Sequence, residues 1–510
     1  MMQRFLFRFF YGGVILLSAA MLLPACNLEH ERLNLNPAQG LKFSADTVYF
    51  DTVFTELKTI TYRFRVYNPN DNAIRIRAVY VNGVNGSQPF SFSIQGRSGP
   101  QRVENVEMEG RDSALVLMSA RIDGRNQNNP FILKDSLVFE LEGRKERQDV
   151  KILAYGQDAL YLRGRSISCD TVWKNDRPVI FLDTISIKPG CRLQVEPGTR
   201  VYGYNSAFLI VRGSLEVNGT REKPVLIQGT RTEPYYRDVP GQWGGILIMD
   251  GGSGKIEHCI LKNSFRGIQV GEVGSKPETV SNASLKISNS RIENIVDYGI
   301  LGVKGIVAAL NNQFADCGES GFAALQGGNY QLWHNTFGLS GNNPFRRDGK
   351  YQLLFSDHFP DVRTQTLYGG KLIVKAVNNL IYGSEEDEIA FAEKKVADFD
   401  FDTLFHHNLI RSKQAVFFGN TLRNKGNRKF PASFRFLSPF DYDFAADTLG
   451  SAEVFGTGIP LQDAASSFPD LISDSELRSI LATDLSGNPR PAQAGINPDA
   501  GAYNNRKRKQ

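Results

Sequence analysis

Apolar residues recur along this chain in two rhythms. In "ITYRFRVYN", residues 60–68, Ile60, Tyr62, Phe64 and Val66 share one face while Thr61, Arg63 and Arg65 share the other. That is the period of a half-buried strand. Between 42 and 156 lie seven short alternating or apolar segments: "DTVYFDTVF", "ITYRFRVYN", "AIRIRAVYV", "FSFSI", "SALVLMSARI", "SLVFELEG" and "DVKILAYG". Turn formers such as "NPNDN" at 68–72 and "NGVNGS" at 82–87 separate them. The pattern predicts a β-sandwich over 42–156.

From Leu160 onward the rhythm changes to a repeat. The fragments "CILKNS", "SRIENI", "NQFADC", "NTFGLS", "NLIYGS" and "NLIRSK" place Leu261, Ile292, Phe314, Phe337, Ile381 and Ile410 at equivalent positions, 31, 22, 23, 44 and 29 residues apart. The value 44 reads as two coils of 22. Three short strands and their turns return a chain by one strand spacing, about 4.8 Å, so the period predicts a right-handed parallel β-helix over 160–503. A large apolar residue then stacks on its counterpart in each coil. Two residues before it, Ser290, Asn312, Asn335, Asn379 and Asn408 are placed to satisfy turn backbone or to stack in a ladder. The LxxLxL pattern of leucine-rich repeats is absent, and a propeller would need longer blades.

Two resemblances refine this picture. The strand ending "VYNPND", the later "PFSFSI" and the closing "KDSLVFELEG" to "VKILAYGQ" resemble immunoglobulin-like modules of exported proteins, which act mostly as spacers or contact surfaces. The stretch 185–231, with Pro189-Gly190 and Pro197-Gly198, the segment Trp243 to Ile246, and "DLSGNPRPAQAGINPDAGAY" at 484–503 resemble the opening and closing coils of bacterial right-handed β-helix proteins. The expected fold is therefore all-β: an immunoglobulin-like β-sandwich followed by a right-handed parallel β-helix, a solenoid.

Ahead of both units, Arg4 and Arg8 precede an apolar run from Phe9 to Leu23 with no acidic residue. Its length suits a signal peptide, whereas a membrane-crossing helix needs about 20 residues. Leu23, Pro24, Ala25 and Cys26 resemble the lipobox of bacterial lipoproteins. The resemblance implies a signal peptide over 1–25, lipidation of Cys26, a linker over 26–41 and attachment to a membrane through the N-terminal lipid; an uncleaved signal anchor is the alternative. Asn27 in place of Asp argues, by the same resemblance, for the outer membrane, with the periplasmic or surface side left open.

Loss of 1–25 removes two of 59 basic residues and none of 54 acidic ones, leaving a net charge of +3. No broad basic face for nucleic acid follows. The basic tail at 504–510 and the acidic run Glu385, Glu386, Asp387 and Glu388 read as solvated. That acidic run would hold Ca²⁺ only if its loop wrapped the ion. Cys169, Cys191, Cys259 and Cys317 form no zinc spacing, and Cys169 with Cys191 is the favoured disulfide, although spacing does not give connectivity.

Parallel β-helices carry lyases, glycosidases and passive scaffolds alike, so the site must decide. The polygalacturonase-type signature is missing, with no Asp-Asp pair and no Gly-His to accompany Arg411 and Lys413. The nearest acid–base candidates are His406, His407, Asp400 and Asp402 in "DFDFDTLFHHN". Asp400 and Asp402 alternate with phenylalanines as on an edge strand, and adjacent histidines on a strand face opposite ways. No nucleotide loop, GxSxG elbow or HExxH helix occurs, and no cofactor or metal is expected. The expectation is a lipid-anchored envelope protein that binds a glycan or an envelope protein without catalysis. A carbohydrate-active enzyme, lyase or hydrolase, is the first alternative, and an accessory subunit of an outer-membrane assembly is the second.

Overall fold

The alternation in "ITYRFRVYN" becomes the strand Tyr62–Tyr67, in which Phe64 and Val66 are buried and Arg63 and Arg65 are exposed. The computed structural model describes residues 32–83, 89–99, 101–164, 166–272, 282–361, 366–394, 401–447, 452–464, 468, 474–491 and 495–504. The segment 1–25, Cys26, Asp400 and the tail beyond Asn504 lie outside the described residues. The chain divides into two compact units, Met1–Gly124 with Phe131–Gly156 and Arg125–Pro130 with Gln157–Gln510.

The first unit contains two five-stranded sheets. Strand pairs such as Tyr62–Tyr67 with Ser113–Ala120, and Phe131–Leu141 with Gln148–Gln157, run antiparallel. Phe64, Val66, Val116 and Met118 from one sheet join Ile76, Phe139, Val150 and Ile152 from the other in a single buried cluster. Residues 34–41, at the end of the expected linker, lie on this unit. Asn34 donates its backbone N–H to the Ala73 carbonyl at 2.7 Å, Leu41 donates to Gln148 Oε1 at 2.7 Å, and the Leu41 side chain is buried.

The second unit is a solenoid of three parallel sheets, of eleven, nine and ten strands, here called sheets 1, 2 and 3 in the order the chain visits them. Leu261, Ile292, Phe314, Phe337, Ile381 and Ile410 are consecutive register partners in sheet 1. All six lie in the interior cluster, with Phe314 and Phe337 stacked at 4.6 Å. Each such side chain contributes about 1.5–3 kcal/mol through removal from water. The Pro-Gly pairs turn the first coils, with Gly190 at φ +76° and Gly198 at +79°, a conformation that favours glycine.

The 44-residue spacing is corrected by the register. Phe337 pairs directly with Ile381, so this is one coil and not two. The extra length sits in the turn 339–352 and in a hairpin of His358–Asp361 with Thr366–Gly369. Both excursions leave the ladder and return to it, so the register survives them.

Of "DFDFD", only Phe401 and Asp402 lie among the described residues, and they pair with Leu372 and Ile373 alone, as an edge does. Phe401–His406 pairs along its whole length with Leu372–Val377, while Phe405 and His406 also pair with Asn424 and Lys425. The outer faces of the middle coils are covered by later chain. Leu310, Trp333 and Val377 pack under Phe468, Leu477, Ile480 and Leu481, and Ala315, Leu380 and Leu409 under Phe434, Phe436 and Phe444. No described helix is long and apolar enough to cross a membrane.

Candidate functional site

The turn from sheet 3 to sheet 1 is tight and repeats closely. His258, Asn289, Asn311, His334, Asn378 and His407 each occupy the left-handed region there, with φ of 47°, 49°, 61°, 52°, 57° and 55°. The next residue in each coil carries a side-chain ladder. Oδ1 of Asn312, Asn335, Asn379, Asn408 and Asn427 accepts the backbone N–H of the ladder residue in the preceding coil at 2.8–3.0 Å. Their Nδ2 groups donate to the carbonyls of Ile287, Ala309, Leu332, Ala376 and Phe405. The later part of this column is roofed by the C-terminal segment, through Arg490 to Asn311 Oδ1 at 2.7 Å and Asn378 Nδ2 to the Ile459 carbonyl at 2.9 Å.

The turn from sheet 1 to sheet 2 behaves differently. Backbone bonds stack Phe265 on Trp243, Asp297 on Phe265 and Glu319 on Asp297, at 2.7, 2.8 and 3.0 Å. Glycines two residues further on allow this close stacking. A methyl group on Gly267 would stand 2.1 Å from the Gly299 carbonyl oxygen, and one on Gly299 would stand 2.5 Å from that of Gly321. The outward side chains vary from coil to coil. Tyr204, Tyr235 and Phe265 are 45%, 81% and 49% exposed in successive turns between sheets 1 and 2, while Trp243, stacked beneath Phe265, is buried. Rigid rings with one wet face supply contact area at low entropic cost.

Charge follows the rings along the same column. Arg266 grips Asp297 through Nε at 2.8 Å and through Nη2, and it also donates to Gln269. Lys350, from the long turn 339–352, pairs with Glu319, and Lys262 pairs with Asp238 at 2.9 Å. Burial raises the Asp297 carboxyl above its usual range, with Arg266 opposing the shift. Nearby, Tyr298 is pushed up by burial and by the Asp297 and Glu319 charges. The sequence contains a signal for this column that the apolar anchors did not reveal. "FRG" at 265–267, "DYG" at 297–299 and "ESG" at 319–321 recur in step with the coils.

The structure separates the candidates taken from the sequence. His406 is buried, with Nε2 at 2.9 Å from the Leu422 carbonyl and its ring 5.4 Å from that of Phe468. His407 is the left-handed turn residue and not a strand residue, so the opposite-face argument does not apply to it. Its ring lies against Gly426, and burial brings its imidazole down to about 4, with the His406 ring adding to the shift. Asp402 sits four positions before His406 on the strand, at the Ile373 register. The two histidines make no constellation with it.

The acidic run also disperses, and its reading as a uniformly solvated loop is corrected. Glu388 is fully buried, accepts the Gln352 N–H at 3.1 Å and the Glu385 N–H at 2.8 Å, and stands 3.6 Å from buried Arg347. Burial raises its carboxyl to about 7. Asp387 accepts from the Ser412 hydroxyl and the Lys413 N–H, and Glu386 pairs with Lys413 at 2.6 Å. The local turn geometry sends these side chains to different partners, and among the described residues no three His, Cys, Asp or Glu side chains converge as a metal site. Cys169 and Cys191, one coil apart, are joined by a disulfide with Cα atoms 4.4 Å apart; Cys259 and Cys317 are buried thiols that burial pushes up.

No family model matches the chain, and no curated protein matches it. Among solved structures it is similar to a family 123 glycoside hydrolase from Clostridium perfringens, at 8% identity and TM-score 0.19, over 25% of this chain and 30% of that one. The chain thus spans less than a third of that relative. It is also similar to the catalytic domain of Agl-KA, at 10% identity and TM-score 0.21, over 73% and 88% of the two chains. A third likeness is to the catalytic domain of a GH87 alpha-1,3-glucanase in complex with nigerose, at 11% identity and TM-score 0.20, over 69% and 82%. Likenesses of this size carry no argument about function.

Proposed function

We propose that this chain is a lipid-anchored protein of the cell envelope that binds a glycan along the turns from sheet 1 to sheet 2 and does not cleave it. In this reading Cys26 carries the lipid and places the protein at the outer membrane, the first unit is an immunoglobulin-like spacer, and the solenoid is a right-handed β-helix. The observation that carries the binding assignment is that three successive turns from sheet 1 to sheet 2 expose Tyr204, Tyr235 and Phe265, and the next two carry the ion-paired Asp297 and Glu319. Rings offer flat apolar faces, and the charged groups offer hydrogen bonds along one edge, the combination that an extended sugar chain needs.

The test is binding of envelope glycan fractions to the protein and to a Tyr235→Ala, Phe265→Ala double variant. A loss of more than about tenfold, with unchanged unfolding, is expected, since each exposed ring contributes about 1 kcal/mol or more at a contact. Unchanged affinity would remove the assignment. Mass of the mature N-terminus beside a Cys26→Ala variant tests the anchor separately.

One observation favours a second reading, a glycoside hydrolase. Asp297 and Glu319 lie on adjacent coils, with the Glu319 N–H bonded to the Asp297 carbonyl at 3.0 Å, so two carboxyl-bearing residues are neighbours as a glycosidase requires, and the Asp297 carboxyl is raised. Against it, both carboxylates are held by cations, so neither is free to attack or to protonate a leaving group. New reducing ends that disappear in Asp297→Asn would establish the enzyme.

A further inference from the structure

The last coil of the solenoid differs in charge from the rest of the chain. Between 411 and 429 stand Arg411, Lys413, Arg423, Lys425, Arg428 and Lys429, with no acidic residue, in a protein whose overall charge is only +5. Lys413 is paired with Glu386, and Arg411 lies over the Tyr382 ring. Arg423, Lys425, Arg428 and Lys429 are exposed, and among the described residues none of them pairs with a carboxylate. Lys425 and Arg428–Lys429 belong to the last strands of sheets 3 and 1.

Two apolar side chains stand out from the same coil. Leu422 is 91% exposed and Val416 58%. The Leu422 turn is held in place: Thr421 and Asn424 bond across it, the Phe405 N–H donates to the Arg423 carbonyl at 2.7 Å, and His406 Nε2 lies 2.9 Å from the Leu422 carbonyl. Val416 belongs to the short 3-10 turn Ala415–Phe418, which seals the interior with Phe417. Lys429 lies 4.7 Å over the Phe418 ring, and Arg423, Lys425 and Arg428 pair with no described carboxylate, so the chain fixes these apolar groups outward beside cations without acidic partners.

Charge at an open sheet edge can serve only to block edge-to-edge pairing. That purpose would be met by mixed signs, and it gives no reason to hold a leucine almost wholly in water. We propose that this end of the solenoid docks on an anionic lipid surface, with Arg423, Lys425, Arg428 and Lys429 at the phosphates and Leu422 and Val416 entering the boundary between headgroups and acyl chains. Membrane charge favours each nearby Lys or Arg, and apolar burial adds a part that salt does not screen. This docking is independent of glycan binding and of the lipid on Cys26.

The test is partitioning of the full chain onto phosphatidylcholine vesicles and onto vesicles containing 30% phosphatidylglycerol. The ratio of the two coefficients cancels any N-terminal anchor. A ratio of about 100 or more at low salt is expected, falling steeply at 0.5 M salt. Changing the four residues to glutamine should bring the ratio within about threefold of one, and Leu422→Ser should weaken binding to both vesicle types; the residues are exposed, and a thermal melt checks the fold. Equal partitioning by the unchanged protein, or a ratio that survives the glutamine variant, overturns the proposal. So does tight binding to a soluble anionic polysaccharide with no vesicle preference.

Discussion

The two turn columns of the solenoid are built from the same repeat and are under opposite constraints. At the turn from sheet 3 to sheet 1, the left-handed residue is Asn or His in six coils and the next residue joins one hydrogen-bonded ladder. At the turn from sheet 1 to sheet 2, only backbone stacking and the glycine column recur, and the outward residue is Phe, Asp or Glu. The first column must satisfy buried backbone groups, so it admits few side chains. The second satisfies its backbone by stacking alone, so its side chains range from half-exposed Phe265 to largely buried Asp297. A solenoid in this way separates the residues that hold coils together from those that can recognise something.

The sharpest way to break this comparison is a substitution within the ladder. Asn335→Ala removes the acceptor of the buried Asn312 N–H, one of the two bonds made by Asn312 Nδ2, and the donor to the Ala309 carbonyl. A loss of about 3–5 kcal/mol in urea unfolding is expected. Phe265→Ala in the other column should cost less than about 1 kcal/mol, since the ring is half exposed. Similar losses at both sites would erase the distinction.

A second test uses pH. Burial keeps the His407 imidazole neutral down to about 4 and lowers His334 well below its usual range. As pH falls from 6.5 to 4, the unfolded chain takes up protons that the folded chain resists. The stability owed to the neutral His407 is therefore fully present above about 6.5 and lost on acidification, by about 1–3 kcal/mol. Asn stands at the same left-handed position in three other coils, so His407→Asn should fold normally and flatten that part of the profile, measured by urea midpoints at pH 4 and 7. An unchanged slope would show that His407 is not the titrating group.

The smallest effect is expected at Glu476, which bridges Lys255 and Lys286 on neighbouring coils at 2.8 and 2.7 Å. Hydrogen bonds from Lys255 and Lys286 bring its carboxyl down to about 2, so its contribution is present above 4.5 and disappears as pH falls through 2. Its side chain is half exposed, and solvent screening limits Glu476→Gln to less than about 1 kcal/mol. A larger loss would mean that the C-terminal helix Ser475–Leu481 is a principal clamp on sheet 3.

Much of the solenoid is legible in the sequence. The six apolar anchors stack in register because an interior column needs a large apolar side chain at one place per coil, and spacing alone shows this. The ladder was half legible: Asn312, Asn335, Asn379 and Asn408 precede those anchors, but Asn427 precedes Arg428 and Lys429 and escaped the pattern. The single 44-residue coil was misread because excursions at turns do not alter register. Asp297, Glu319 and Phe265 were missed because their type varies while their position repeats.

The sequence by itself determined the all-β character, the coil period and the contents of the interior, since burial and backbone pairing act on every coil alike. Only the tertiary structure decided which polar groups meet. Glu388 is neighbour to Arg347 rather than to solvent, His406 braces the turn at Leu422, and Arg490 reaches Asn311 across 179 residues. Those encounters depend on where turns of unequal length leave the chain, and no local pattern records that.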